Sequence, residues 1–468
     1  AHHQALILIS INNFINNNIM QERFLENPEI KAVDILLQEK MPEKMIITKD
    51  KKEIVQKIKY QSYDYYLTRE INKINEQLPY INVIANDNYT IVFNQDGTGF
   101  SKYKNFLINR YKNTDEIKQG ILFYFKNMNN KKIWQANIKK EEYQDDNYKI
   151  EFTPDMNKIT KKQDNIQTIV KTIITNENVE IRNIKLKNLG NKEELIEVSG
   201  VFEPVLSTDI QDYSHKAFNN LFLKYERVRE GLFIKRNKRG NTDSASMAVG
   251  FFAKDNAIGD MEYEIDKEKL YGRLNKDIPT KIKNSEKFTN QIGLVTDPVV
   301  AMKQIIKIKP LEETELNFVI SVGEDKLEIV NKLNKYKNFE NVEKAFKISK
   351  VRAEEEARYL RIKGKDISNY QKILAYLFNI NPQTREYLKK LKLKTYSQED
   401  LWKYGISGDY PILLVKVKEE NDIYTVKEIL KAYEYFITKN IWIDLIILNE
   451  ENNVYEKYVQ NGIEREIE

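Results

Sequence analysis

From about residue 80 to about residue 325 the chain is built of short apolar runs rich in β-branched and aromatic residues, each closed by a turn signal. Such runs occupy positions 89–93, 121–125, 168–174, 179–186 and 318–322. The run that starts at Val179 alternates by side, as a strand with one buried face does. Turn-forming clusters lie between the runs: Gln95-Asp96-Gly97, Asn188-Leu189-Gly190-Asn191 and Lys238-Arg239-Gly240-Asn241. About 250 residues of such strands indicate a large antiparallel β-sandwich.

After Gly323 the period changes. Leu327, Ile329, Val330 and Leu333, then Val342, Ala345, Phe346, Ile348, Val351 and Ala357, recur at helical spacing. Helical character continues through 370–377 and 387–391. Beyond residue 401 an apolar run at 412–417, a helical pattern at 424–436 and a second apolar run at 441–448 follow in the order of a βαβ unit. At the other end, Leu6, Ile9, Phe14 and Ile15 mark a first helix. Asn27-Pro28-Glu29 opens a second with a cap, a proline at the first position and an acid in the first turn; Ile30, Val33, Leu36 and Leu37 form its stripe before Met41-Pro42. Residues 43–75 lack a period and read as a surface linker.

Composition narrows the function classes. With 75 Lys+Arg against 70 Asp+Glu in 468 residues the net charge is +5, both signs are interspersed, and nucleic acid is not an expected partner. Cysteine is absent, which removes disulfides, thiolate metal sites and a cysteine nucleophile. The three histidines (His2, His3 and His215) leave little for a metal site, and none is expected. No apolar run approaches the ~20 residues that span a bilayer. The chain opens on Ala1 without a signal-peptide pattern and reads as a stretch of something longer.

Three groups of residues carry a family resemblance. The first is Ala1-His2-His3-Gln4 with Gln21-Glu22-Arg23-Phe24 and Leu36-Leu37-Gln38-Glu39. The second is Asn94-Gln95-Asp96-Gly97-Thr98-Gly99-Phe100-Ser101-Lys102-Tyr103 with Asn109-Arg110-Tyr111, followed by 215–222, Tyr271-Gly272-Arg273 and Asp297-Pro298. The third and most specific is Tyr404-Gly405-Ile406-Ser407-Gly408-Asp409-Tyr410-Pro411, with Glu434-Tyr435 and 444–450 behind it. Together they resemble the cyclic β-1,2-glucan synthases and the related phosphorylases of glycoside hydrolase family 94. Ala5-Leu6 departs from the Gly-Met or Gly-Leu usual after the His-His-Gln of that family.

The resemblance implies a multidomain β-plus-α chain. Residues 1–42 would end a glucoamylase-like domain, 43–78 form a linker, 79–325 the large antiparallel sandwich (a supersandwich), 326–400 a helical linker, and 401–468 the start of an (α/α)6 barrel. Members cleave β-glucosidic bonds by inverting phosphorolysis: a carboxylic acid protonates the glycosidic oxygen while inorganic phosphate, the co-substrate, attacks the opposite face. No other cofactor is implied. The partner is a β-glucan oligosaccharide or polysaccharide. The parent protein would sit at the cytoplasmic side of a membrane through domains not in this sequence, with a homodimer also allowed. The family's acid lies beyond this stretch, so no catalytic residue is assigned here and the chain alone is expected to be inactive. The rival reading is a non-catalytic sandwich that binds polysaccharide or scaffolds its neighbours; the stretch after 401 is what such a module does not need.

Four residues are candidates for sugar contact: Asp409, whose carboxylate can accept hydroxyl hydrogen bonds; Trp402 and Tyr404, whose rings can stack on a pyranose face or else serve as core; and Arg110, near the glycine-rich hairpin. For Asp409 a turn-capping role stands equally open. Asp96-Gly97-Thr98-Gly99 lacks the Lys-Ser/Thr of a phosphate loop and reads as a hairpin turn. Trp134 and Trp442 are expected in the core, and His215 as structural.

Overall fold

The computed structural model describes residues 2–27, 30, 65–75, 77–111, 113–114, 117–118, 120–139, 142, 147–237, 244–273, 277–379, 386–387, 390, 397–451 and 457–467. The chain forms two compact units, Ala1–Ser62 and Tyr63–Glu468. In the first, the helices His2–Ile15 and Ile19–Leu25 flank a break where Asn17 and Asn18 both take positive φ (51° and 64°), and neither helix buries a residue. Asparagine tolerates that conformation better than any other side chain here, and it ends the first helix. The helix expected from Pro28 onward and the Lys238–Asn241 turn lie outside the described residues.

The second unit is the expected sandwich with a helical connector. Its largest sheet has ten antiparallel strands in the spatial order Arg69–Ile71, Tyr148–Phe152, Met156–Gln163, Ile166–Ile174, Val179–Asn188, Glu313–Gly323, Ser246–Ala253, Gly231–Arg236, Leu223–Val228 and Gly293–Leu294. A second sheet runs Ala257–Asp266, Pro298–Ile308, Glu194–Phe202, Leu122–Asn127, Ile133–Gln135. A third runs Pro204–Ser207, Phe106–Asn109, Gly99–Tyr103, Tyr89–Asn94, Ile81–Ala85. One face of the ten-stranded sheet shares a single core with both smaller sheets. Phe318 lies at its centre, met edge-on by Phe123, Phe202 and Phe251 at 5.4, 6.2 and 5.6 Å between centroids, the geometry that aromatic quadrupoles prefer. The sheet reaches back to Arg69–Ile71, inside the stretch read as linker; three residues are too few to show a strand period.

The opposite face of the large sheet is covered by the connector. Helix Lys326–Lys335 begins on the Asp325 side chain, which accepts from the Glu328 amide, and buries Ile329 and Leu333. Helix Phe339–Tyr359, capped by Asn338, buries Val342 and Ala345 in the same cluster. Helix Gly364–Phe378 then crosses to the outer face of the third sheet, where Ile81, Val83 and Val92 meet Ile367, Tyr370 and Leu374. Helix Ile423–Thr438 joins this cluster through Ala432, Tyr435 and Phe436. Beyond residue 401 the expected βαβ unit is present: Ile412–Val417 and Asp444–Asn449 pair in parallel, and the helix Ile423–Thr438 crosses between them. Among the described residues no helix is long and apolar enough to cross a membrane.

Strand Ile81–Ala85 is a sheet edge, with a row of outward backbone groups that would otherwise be orphaned under the connector. Side chains meet them one by one. Arg69 Nη2 donates to the Ile81 carbonyl (3.1 Å). The Gln371 amide brackets Val83, its Oε1 accepting from the amide N–H (2.9 Å) and its Nε2 donating to the carbonyl (3.0 Å). Arg352 Nη2 donates to the Ala85 carbonyl (3.2 Å). The connector thus closes the edge as a further strand would, with side-chain groups in place of a backbone.

Candidate functional site

Residues 397–411 form the candidate site, and local chemistry explains their shape. The Ser397 amide donates to Asp400 Oδ2 (2.8 Å) ahead of the short helix Glu399–Trp402. Gly405, at φ 73°, ends it by turning the Ile406 N–H back onto the Leu401 carbonyl (3.3 Å), a glycine-dependent closure. Gly408, at φ 74°, reverses the chain again. Between the two glycines the Ser407 carbonyl accepts from Gln398 Nε2 (2.8 Å) and from Trp402 Nε1 (3.3 Å). Gln398 Nε2 also reaches Asp409 Oδ1 (3.1 Å), and the Asp409 amide donates to Ser407 Oγ (3.2 Å). Two of the four candidates, Trp402 and Asp409, are therefore drawn into one knot.

The result is an exposed carboxylate among exposed rings. Trp402 is 59% and Tyr404 70% exposed, so neither is core; Lys403 Nζ lies 5.0 Å from the Tyr404 ring centre. The Asp409 carboxylate joins the turn by accepting from Gln398, and the residue stays exposed. Stacking on a ring and hydrogen bonding to a carboxylate are what a pyranose offers partners for, through its C–H face and its hydroxyls.

The loop runs straight into the small parallel sheet, where Ile412 lies beside Asp444, Leu414 beside Ile446 and Lys416 beside Leu448. Alternation puts Tyr410, Ile412 and Leu414 on one face with Trp442, Ile446 and Leu448. Tyr410, Ile412, Leu414, Trp442 and Leu448 are exposed there, whereas Val415, Val417 and Ile443 point inward and are buried. Parallel sheets ordinarily bury both faces, so this apolar face is unusual. Trp442 was expected in the core and is instead 54% exposed, because it extends the outward parity of the strand Asp444–Asn449 that follows it. Trp134 is core as expected, stacked on Phe125 at 5.6 Å.

Arg110 lies elsewhere, inside the sandwich, 1% exposed. Its Nε and Nη2 grip Asp212 (2.8 and 2.5 Å), Nη1 holds Glu203 (2.6 Å), and Nη2 also reaches Asn220 (3.0 Å). Burial works against the charge, but Asp212 and Glu203 outweigh it and raise the Arg110 pKa. Burial likewise pushes the Glu203 carboxyl up, while Lys267, Lys216 and Arg110 outweigh it and hold that carboxyl at about 2. Four of the five guanidinium donor directions are thus committed to protein acceptors, and the residue braces the strand Phe106–Asn109 against the helices Asp209–Ser214 and Lys216–Asn220.

The 94–99 hairpin is closed by Asn94 N–H to the Thr98 carbonyl (2.8 Å), with Thr98 donating to Asp96 Oδ1, the turn that was expected. His215 is exposed between two short helices, and the rings of His2 and His3 meet edge-on at 5.9 Å. Among the described residues no group of three or more His, Asp or Glu is arranged to hold a metal ion. The residues that sequence reasoning missed are Gln371, Arg352 and Tyr435, which fix the connector. A buried glutamine inside an amphipathic helical stripe was the available signal.

A family model described as the supersandwich domain of glycosyl hydrolase 94 matches residues 64–339. The cyclic beta-(1,2)-glucan synthase NdvB of Rhizobium meliloti (strain 1021) is 24% identical over 99% of this chain, which spans only 17% of that protein's length. Among solved structures, a polysaccharide lyase aligns over 56% of this chain and 35% of its own (13% identity, TM-score 0.31). A bacterial glucoamylase complexed with acarbose aligns over 66% and 43% (11% identity, TM-score 0.34).

Proposed function

The chain belongs to glycosyl hydrolase family 94 through its supersandwich domain, and on that premise we propose that it is the sandwich-and-connector section of a β-glucan-processing enzyme. One observation carries the reading: the helix Ile423–Thr438, which belongs to the βαβ unit following the loop of Trp402, Tyr404 and Asp409, is joined to the connector and through it to the sandwich by buried polar contacts. Gln371 donates to Tyr435 Oη (2.8 Å) while holding Val83, and buried Lys439 pairs with Glu356 (2.6 Å). A module that only bound polysaccharide would need no such mounting, which speaks against the rival reading.

In this proposal the parent cleaves β-1,2-glucosidic bonds by inverting phosphorolysis. The C1–O bond to the leaving sugar breaks as an acid protonates that oxygen, and a C1–O bond to inorganic phosphate forms on the opposite face, giving α-glucose 1-phosphate. Residues 401–468 stand at the start of the (α/α)6 domain, and the 397–411 loop touches the glucan. Attachment to the cytoplasmic side of a membrane through other domains, and a homodimer, belong to the same proposal.

The test pairs two assays. The chain is titrated with β-1,2-glucooligosaccharides and, as a control, with cellooligosaccharides. Glucose 1-phosphate release from β-1,2-oligoglucan and phosphate is then measured for this chain and for a longer polypeptide of the same reading frame. Selective β-1,2 binding, with release only from the longer polypeptide, is expected. Release from this chain alone, or no release from either, overturns the proposal.

A further inference from the structure

A second site lies on the seam between the edge strand Arg69–Ile71 and the helix Gly364–Phe378. A cleft of about 290 Å³ opens there, lined by Arg69, Lys73, Tyr80, Ser368 and Lys372. Three of its eight lining residues carry positive charge. Among the described residues none of the three makes an ion pair with a carboxylate, although most cations on this sandwich do. Glu70 also lines the cleft, but Lys149 Nζ holds it at 2.9 Å.

Arg69 is the informative member. Its Nη2 donates to two neutral oxygens, the Ile81 carbonyl (3.1 Å) and Asn82 Oδ1 (2.7 Å), and its guanidinium lies 5.3 Å from the Phe152 ring centre. Nε and Nη1 meet no acceptor among the described residues. Burial draws its pKa down to about 10, the mark of a cation set in low dielectric without an anion; Tyr435 offsets this only in part. Arg69 is half-buried, and proteins ordinarily place a carboxylate beside a cation so withdrawn from water. Here the protein leaves an opening instead, with two lysine ammoniums and the Ser368 hydroxyl on its rim.

We propose that this cleft binds a phosphoryl group, presented by inorganic phosphate or by a sugar phosphate. Three cations suit a dianion better than a single carboxylate, and the Arg69 Nε and Nη1 groups each keep an N–H that a phosphate oxygen can accept singly. The volume admits a phosphate with a hexose attached. The site is separate from the 397–411 loop and does not rest on the function proposed above. No acid in it is free to protonate a glycosidic oxygen, so its role is binding. Its walls belong to different parts of the fold: Arg69 to the sandwich, Ser368 and Lys372 to the connector. An anion between them therefore ties the connector to the sheet edge that Gln371 closes.

The test uses the full chain. Calorimetric titrations with sodium phosphate and with glucose 1-phosphate are run at constant ionic strength set by sodium chloride, alongside thermal unfolding. Wild type should bind saturably and show a Tm that rises with ligand concentration. The Lys73→Gln/Lys372→Gln double variant, whose two side chains are exposed and whose fold is checked by circular dichroism, should bind at least tenfold more weakly. Arg69→Gln should abolish binding. Tighter binding of glucose 1-phosphate identifies a sugar phosphate as the ligand, and equal binding identifies free phosphate. Absence of saturable binding in wild type, or unchanged affinity in the double lysine variant, overturns the proposal.

Discussion

Replacing Gln371 by leucine isolates the contact that joins the connector to the sandwich. The side chain is fully buried, and Val83, which it brackets, is 0% exposed. Leucine conserves the volume, so packing changes little, but the Val83 N–H and carbonyl lose their partners in a seam that water does not reach. Each orphaned buried group costs about 1–3 kcal/mol, and the gain from a more apolar side chain offsets roughly 1 kcal/mol of the sum. The net expectation is a loss of about 1–5 kcal/mol. Tyr435→Phe, which removes only the third hydrogen bond, should cost about 1 kcal/mol and serves as the graded control. Urea denaturation gives the stability difference, and hydrogen exchange followed by mass spectrometry gives its location. Faster exchange should be confined to segments 78–90 and 364–378 and to the helix Ile423–Thr438. A Gln371→Leu protein within about 0.5 kcal/mol of wild type, with exchange unchanged in those segments, would refute the edge-closure argument.

Three further outcomes are expected. Glu203 is held at about 2, below its unfolded value near 4.5, so its contribution is complete above pH 4.5 and is lost as pH falls toward 2. Acid unfolding profiles should show on the order of 3 kcal/mol of this loss, absent in Glu203→Gln. Glu197 behaves with the opposite sign: burial raises its pKa, both carboxylate oxygens lack a hydrogen bond, and Lys303 Nζ stands 3.5 Å away. Its favourable state is the protonated one, lost as pH rises, so Glu197→Gln should be neutral or up to about 1 kcal/mol stabilising at pH 7, with the difference vanishing near pH 4 in paired thermal melts. In the 397–411 loop, Trp402→Ala and Asp409→Asn should each weaken β-1,2-oligoglucan binding by roughly tenfold in calorimetry while Tm shifts little, since both side chains are exposed.

The architecture was legible because it is periodic. Strand runs at 89–93, 168–174, 179–186 and 318–322 fall in observed strands, and the change of period after Gly323 coincides with the first connector helix. The βαβ order at 412–448 was equally readable from two apolar runs flanking a helical stripe. What stayed hidden is non-local. Val83 and Gln371 are 288 positions apart, and nothing in either neighbourhood announces that a glutamine amide will close a strand edge. The strand Arg69–Ile71 exists because Tyr148–Phe152 offers it a partner, and its own three residues carry no pattern.

The site divides along the same line, and its tryptophans show why. Trp134 and Trp442 both adjoin or occupy strands beside apolar neighbours, and composition alone treats them alike. Trp134 faces the layer shared by three sheets and is buried; Trp442 extends the outward parity of a two-stranded sheet whose inner parity already packs on the helix Ile423–Thr438. Which face is inner depends on how many layers surround the strand, a property of the assembled fold. Arg110 makes the converse case. Its place beside a glycine-rich hairpin suggested reach toward a ligand, yet Glu203, Asp212 and Asn220 arrive from segments about a hundred residues away and consume its donors. An arginine with carboxylates on most of its donors is a brace; one with neutral oxygens on Nη2 and open donors elsewhere, as Arg69 has, is left with binding capacity. Counting committed donors therefore separates the two arginines where position in the sequence does not.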